Sequence, residues 1–296
     1  MPRCPIGGRG WAAGHEPRPA GQGEAVSDKK SLSPRPARFP ASLESRGASP
    51  APAVLRPQRL LHEAALDAAR SVAPRGLGLD NAPVRQRMVQ RLRADGVQCE
   101  PVLQAMGQVP RHEFVDSALV AQAYEDTSLP IGLSQTISKP SVVARMIEWL
   151  YLGEGARQRG HLGRVLEIGT GCGYQAAVLA QLSTQVISVE RLKALHELAA
   201  RHLHRLHVPR CRLVYGDGMR GHPPNAPYDS IIAAAGGDDL PTAWLDQLAV
   251  GGRLVAPARS ADGRGQVLVI VDRTPDGLRR RLGEAVQFVP LKSGTH

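Results

Sequence analysis

The sequence is short of three things that common protein classes need. Cysteine is the first: Cys4, Cys99, Cys172 and Cys211 are the only four in 296 residues, and no two form a C-x-x-C pair. That spacing excludes a zinc ribbon and a disulfide scaffold, and it points to a reducing compartment. Aromatic residues are the second. Three Phe, three Trp and five Tyr are too few for the stacking platforms that hold single-stranded nucleic acid. The third is a long apolar run. No stretch approaches the length of about 18 residues that a membrane helix requires, and no apolar core of a secretory signal follows the start. The expected location is therefore the cytoplasm, without a membrane partner. A hydrophobic content of 42% still suffices for a folded core.

Acidic residues are outnumbered, and the net charge is +10. Residues 1–80 carry 12 Lys and Arg against 7 Asp and Glu, whereas the much longer remainder carries 25 against 20. The basic excess is thus densest in the N-terminal part. Residues 1–60 also hold ten Pro and seven Gly with no sustained apolar period, a composition that cannot bury enough apolar area to offset the entropy of ordering. Residues 1–79 are expected to be a disordered extension, with a weak helix at most over 60–70. No dedicated nucleic-acid role is expected from this charge, although a basic protein anchored on nucleic acid by its Arg-rich tail is the non-enzymatic alternative.

From residue 80 the pattern changes. Val84, Met88 and Leu92 recur at helical spacing between arginines until Gly96, a second short helix fits Val102 to Met106, and Pro110 closes it. A polar loop from Tyr124 to Lys139 follows. Pro140 then suits the first turn of a helix whose buried stripe is Val143, Met146, Ile147 and Leu150. Beyond residue 160, short apolar runs at 165–168, 186–189, 212–215, 230–234 and 252–256 alternate with amphipathic segments of helix length, as in a parallel sheet covered on both faces. Two more runs, 267–271 and 285–289, have no full helix between them and predict an antiparallel hairpin at the sheet edge. The expected domain is therefore 80–296: a helical cover over 80–160 and a doubly wound, mostly parallel seven-stranded α/β core over 161–296.

Three features follow three successive strands of that core. Glu167 precedes the turn Gly169-Thr170-Gly171-Cys172-Gly173, a G-x-G-x-G spacing in which missing Cβ atoms allow a tight bend and close approach to a ligand. This is not the G-x-G-x-x-G of a dinucleotide site, and an acid just before the turn suits a cationic ligand better than a diphosphate. Glu190 ends the second strand, where a carboxylate can accept both hydroxyls of a ribose. Gly216-Asp217-Gly218 follows the third, where Asp217 can accept from an exocyclic amine and Gly218 lets the backbone pass beneath a base. Together they describe a nucleoside pocket at the carboxyl edge of the sheet. The arrangement resembles that of S-adenosylmethionine-dependent methyltransferases.

The stretch upstream narrows the resemblance. Val109-Pro110-Arg111-His112-Glu113-Phe114-Val115-Asp116, Tyr124-Glu125-Asp126 and Leu129-Pro130-Ile131-Gly132-Leu133-Ser134-Gln135-Thr136-Ile137-Ser138-Lys139-Pro140 closely resemble the protein-L-isoaspartate O-methyltransferases, and the likeness extends to Phe288-Val289-Pro290-Leu291. It implies S-adenosyl-L-methionine as co-substrate and isoaspartyl residues of damaged proteins and peptides as substrate; a monomer is expected. It also implies Ser138 as the active-site residue, with Ile131, Gly132, Gln135, Thr136 and Ile137 covering donor and substrate. By generic chemistry, a Ser before Lys-Pro would instead be a helix N-cap. Two departures stand out: Cys172 where many relatives have Ser, and Gly236-Gly237-Asp238-Asp239 after the fourth strand. His196, His202, His204 and His207 lack a carboxylate or thiolate at supporting spacing, so no metal is expected. The enzymatic alternative is a methyltransferase of the same fold acting on RNA or a small molecule.

Overall fold

The structure, a computed structural model, describes residues 82–296. The expectations for residues 1–79 and for a helix over 60–70 lie outside the described residues. Helix α1 (Ala82–Ala94) and helix α2 (Glu100–Gln108) open the domain, and two short 3-10 turns, Arg111–Phe114 and Ser117–Gln122, follow. The buried residues of α1 are Met88 and Leu92, the stripe read from the spacing. Helix α2 runs further than its apolar residues predict, because Pro101 occupies its first turn without losing a hydrogen bond.

The loop expected over 124–139 contains a two-stranded antiparallel ribbon, β1 (Leu129–Gly132) and β2 (Gln135–Ile137). Strands this short carry too few alternating residues to be read by period. Helix α3 (Pro140–Tyr151) begins at the expected proline and buries Val143, Met146, Ile147 and Leu150. A short α4 (Glu154–Arg159) then leads to the sheet.

The core elements are β3 (Arg164–Ile168), α5 (Tyr174–Leu182), β4 (Gln185–Glu190), α6 (Lys193–Arg205), β5 (Cys211–Tyr215), β6 (Tyr228–Ala233), α7 (Thr242–Asp246), β7 (Leu248–Arg259), β8 (Gln266–Thr274) and β9 (Gly277–Val286). They form one seven-stranded sheet in the order β5-β4-β3-β6-β7-β8-β9. The first five strands pair in parallel, and β8 and β9 add antiparallel at the edge. The last strand lies upstream of the expected 285–289. Its sequence Gly-Leu-Arg-Arg-Arg-Leu-Gly-Glu-Ala-Val is exposed along most of its length, and an edge strand wet on both faces shows no apolar alternation.

Alternation along the central strands divides the core. Val165, Val186, Ile232 and Val255 pack with α2, α3 and α5, whereas Leu166, Ile168, Ile187, Val189 and Ile231 pack on the other face with Trp244. The chain order reverses at β3, which has β4 on one side and β6 on the other. A crevice opens at the carboxyl ends of the strands at such a reversal.

Polar side chains tie the elements of the cover to one another. Glu148 of α3 accepts from the backbone N–H groups of Gln98 and Cys99, at 2.6 and 2.8 Å, and so satisfies donors at the start of α2. Asp126 does the same for α3. Its Oδ1 accepts from the Ser141 N–H and its Oδ2 from the Ser141 hydroxyl, both at 2.8 Å. Lys139 occupies the N-cap position and makes no side-chain cap. The capping alternative for Ser138 is therefore wrong: the cap comes from a carboxylate 15 residues upstream of Ser141. Asp126→Ala is expected to lose about 0.5–2 kcal/mol, a melting shift of a few degrees in a domain of this size. Thermal denaturation checks it, and an unchanged melting temperature would show that Asp126 does not hold the helix.

Candidate active site

A cavity of about 520 Å³ lies at the chain reversal, within the size range of small-molecule sites. Its floor is the glycine turn after β3. Gly169, Gly171 and Gly173 all have left-handed φ, at 88°, 57° and 92°, a conformation that side-chain-bearing residues rarely adopt. Gly169 and Gly171 line the cavity. A Cβ on Gly171 would stand 3.2 Å from Ile131 Cδ1, so the β1–β2 ribbon rests directly on the turn.

Glu190 lines the cavity as expected and does more than await a ribose. Its Oε2 accepts from the Gly171 N–H and its Oε1 from the Leu192 N–H, both at 2.9 Å. One carboxylate thereby joins the turn after β3 to the entrance of α6. Each oxygen keeps a further lone pair.

Gly218, Ile131, Gln135, Thr136, Ile137 and Ser138 also line the cavity. Ser138 is half-buried, and its hydroxyl makes no hydrogen bond among the described residues. Cys172 lines it too, as a buried thiol that desolvation pushes up to about 11.

Four expected site residues stand elsewhere. Glu167 is fully buried beneath the turn. It accepts from Ser188 Oγ at 2.5 Å and Gln175 Nε2 at 3.0 Å, and Ser188 in turn bonds Thr170 Oγ1 at 2.5 Å. Since Thr170 and Gln175 do line the cavity, Glu167 reaches it only through them. Gly173 faces α6, where a Cβ would meet Ala199 and Leu203 at 3.3–3.5 Å, so its role is helix packing. Asp217 accepts from the Met219 and Gly294 N–H groups, at 2.9 and 2.8 Å, and lies outside the cavity lining. Gly132 sits exposed in the ribbon with φ 91° and serves its bend.

The sequence reading missed the wall formed by the last residues. Val289, Pro290, Leu291, Lys292 and His296 line the cavity, and this segment is pinned by the Gly294 N–H to Asp217 and by the His296 N–H to the Arg191 carbonyl, both at 2.8 Å. The unusual Gly236-Gly237 pair has its reason here. Gly236 bonds Val289 and Leu291 through its backbone, and a Cβ on it would stand 2.6 Å from Gln266 Nε2. Arg111 was also passed over. Its guanidinium is fully buried, donates from Nε to the Ala123 carbonyl at 2.7 Å and stacks 4.8 Å from the centre of the Tyr174 ring, a ring that lines the cavity.

Residues 83–296 match the family model described as protein-L-isoaspartate(D-aspartate) O-methyltransferase. The chain belongs to this family. Among curated relatives, the protein-L-isoaspartate O-methyltransferase of Methylibium petroleiphilum is 60% identical over 266 residues, which cover 88% of this chain and 98% of the relative. That of Leptothrix cholodnii is 58% identical over 278 residues, 90% of this chain and 97% of the relative. A solved protein-L-isoaspartate O-methyltransferase is 31% identical with a TM-score of 0.62, over 71% of this chain and 66% of that one, just under two thirds of its length. The fold is shared as well with a candidate enzyme of this name from Plasmodium falciparum in complex with S-adenosyl-L-homocysteine, at 23% identity and a TM-score of 0.59, over 70% of this chain and 98% of that one.

Two predictions follow from the acids of this family member. Burial pushes the Glu167 carboxyl up to about 8, against the lowering effect of its bonds from Ser188 and Gln175. An acid that holds its proton more tightly when folded stabilises the fold fully below its unfolded value of 4.5, and that stability is lost as pH rises through about 8. Wild type should thus lose stability relative to Glu167→Gln by up to about 1.4 kcal/mol per pH unit between 5 and 8. Parallel denaturant titrations check this, and curves that keep a constant separation would refute it. Glu190→Ala should lower both cofactor affinity and melting temperature, because two backbone donors lose their acceptor at about 1–3 kcal/mol each when buried. Calorimetry beside a thermal melt reads both.

Proposed function

We propose that this chain transfers the methyl group of S-adenosyl-L-methionine to the free carboxylate of L-isoaspartyl residues in damaged proteins and peptides, the first step of a repair that continues through a succinimide. The residues present fit the methyl donor. A turn stripped of Cβ atoms at Gly169 and Gly171 and a carboxylate with spare lone pairs at the end of β4 border one cavity, and the polar groups suit a nucleoside while the apolar lining suits its flat faces. Glu190, Gly169, Gly171 and Gly218 would hold the donor, with Ile131, Gln135, Thr136 and Ile137 over it. When bound, it supplies a methyl group already activated on a sulfonium.

The carrying observation is Ser138. Its hydroxyl lines the same cavity as the glycine turn, lacks any partner among the described residues and plays no part in capping α3. A hydroxyl with no internal partner can bond an incoming ligand without first breaking an intramolecular bond. The incoming carboxylate is ionised at neutral pH and acts as the nucleophile itself, so what the protein must provide is alignment. Ser138 donates a hydrogen bond to that carboxylate and holds it in line with the methyl group. Orientation of this kind accounts for a large part of the accessible rate gain.

The segment after β6, Ala234-Ala235-Gly236-Gly237, offers no flat side chain on which a base would stack, which favours a polypeptide over RNA. Our reading extends to a monomer in the cytoplasm that uses neither nucleic acid nor membrane as partner. Cys99, Cys172 and Cys211 are free thiols, in keeping with a reducing compartment. No helix among the described residues is long and apolar enough to cross a membrane.

Ser138→Ala should lower methyl transfer to an isoaspartyl peptide by about a hundredfold, the loss that a misplacement of one ångström can cause. Affinity for S-adenosyl-L-homocysteine and the melting temperature should stay near wild type, since no intramolecular bond is removed. Near-normal turnover in the variant would refute the assignment. Wild-type transfer to the matching aspartyl peptide would refute the isoaspartyl reading itself.

A further inference from the structure

We infer that Leu133, at the tip of the β1–β2 ribbon, determines substrate preference by receiving an apolar side chain that neighbours the isoaspartyl residue. The inference rests on the isoaspartyl reading above and adds a substrate class to it.

The ribbon closes through a two-residue turn. Gly132 pairs with Gln135, and the residues between, Leu133 and Ser134, have φ of 51° and 57°. Two successive left-handed residues make the turn that Asn-Gly, Asp-Gly and Gly-Gly serve best, because their backbones enter this region with little penalty. Leucine is poorly suited to it, since its Cβ crowds the backbone. Local conformation therefore does not explain why a leucine stands here.

Burial does not explain it either. Leu133 is 57% exposed, one of six large hydrophobic residues so described, and the only one of them that lines the cavity. Its backbone carbonyl is held by Gln135 Nε2 at 3.2 Å, so the tip has a defined position. A side chain that violates both the turn preference and the preference for polar groups in water marks a position retained for contact with something else.

The surroundings say what that contact is. Ile131, Val289, Pro290 and Leu291 line the same cavity, and Ser138 lies five residues along the ribbon from Leu133. The ribbon thus carries an exposed apolar side chain at the margin and leads directly into the hydroxyl that orients the carboxylate. A peptide whose isoaspartyl carboxylate reaches Ser138 brings its adjacent side chains to that margin. An apolar one there removes surface from water on both partners, whereas glycine gains nothing.

The test compares two isoaspartyl peptides that differ only at the residues flanking the isoaspartyl position, leucine in one and glycine in the other. Full-length wild type, Leu133→Asn and Leu133→Gly are assayed with each, beside thermal melts and calorimetric titration with S-adenosyl-L-homocysteine. Both substitutions suit a left-handed turn better than leucine, so melting temperature should hold or rise. The ratio of kcat/KM for the leucine peptide over the glycine peptide should fall about three- to tenfold in both variants, through KM, a modest share of what a full apolar pocket contributes. An unchanged ratio overturns the inference while leaving the methyltransferase reading intact. So does an equal loss on both peptides accompanied by weaker S-adenosyl-L-homocysteine binding, which would make Leu133 part of the cofactor cover. Wild type inactive on both isoaspartyl peptides would overturn the underlying function as well.

Discussion

One carboxylate holds the crevice together. Glu190 ends β4, yet its two oxygens serve the turn after β3 and the entrance to α6. Without an acceptor at this position the Gly171 N–H would point into a largely apolar cavity, and a buried donor left unpaired is among the costlier defects a fold can carry. The position of the turn sets that of Ile131 above it, and Ile131 carries the ribbon on which Leu133 stands and which runs on into Ser138. A change at Glu190 therefore propagates along covalent and packing contacts to the far side of the cavity.

The second acid, Glu167, has the opposite situation. It is sealed beneath the cavity floor, where desolvation dominates and its carboxyl is pushed up to about 8. It accepts from the Ser188 hydroxyl, which in turn meets Thr170 in the turn. Two glutamates in successive strands thus perform different tasks because one borders the cavity and accepts backbone donors while the other is sealed beneath it. Residue type and spacing alone cannot separate those roles, since both read as acids at a sheet edge.

That distinction explains what the sequence revealed. Strands β3 to β7 and helices α3, α5 and α6 were legible because short apolar runs alternate with segments of helix length, and the crevice followed from their order. That Glu190, Gly169, Gly171 and Gly218 border the cavity was legible because the ends of parallel strands converge. Asp217 and Gly173 stand outside the cavity lining for a shared reason. The partners that decide their roles, the Gly294 N–H and the side chains of Ala199 and Leu203, come from elements remote in sequence or from another face. Strand β9 and the β1–β2 ribbon escaped because neither buries a continuous face. Arg111 was passed over because a buried arginine stacked on a tyrosine has no local signature.

The acids near the cavity share a further property. Asp126, Glu167, Glu190 and Asp217 are all committed to donors within the protein, so none stands ready as a general base. An enzyme whose nucleophile is a hydroxyl or an amine would be handicapped by this, because a proton must leave as the bond forms. Methyl transfer to a carboxylate has no such proton to remove, and the electron pair of the broken bond departs with a sulfur that becomes neutral. The protein can then use its carboxylates as fixtures for the turn, for α3 and for the final segment, and on our proposal it leaves orientation to the neutral hydroxyl of Ser138. A charged side chain at Ser138 would compete with or trap the incoming carboxylate, whereas a hydroxyl aligns it and releases the neutral ester. With Ser138 in that proposed role, the commitment of the acids and the neutrality of the orienting group are two consequences of one requirement, a substrate that arrives already ionised.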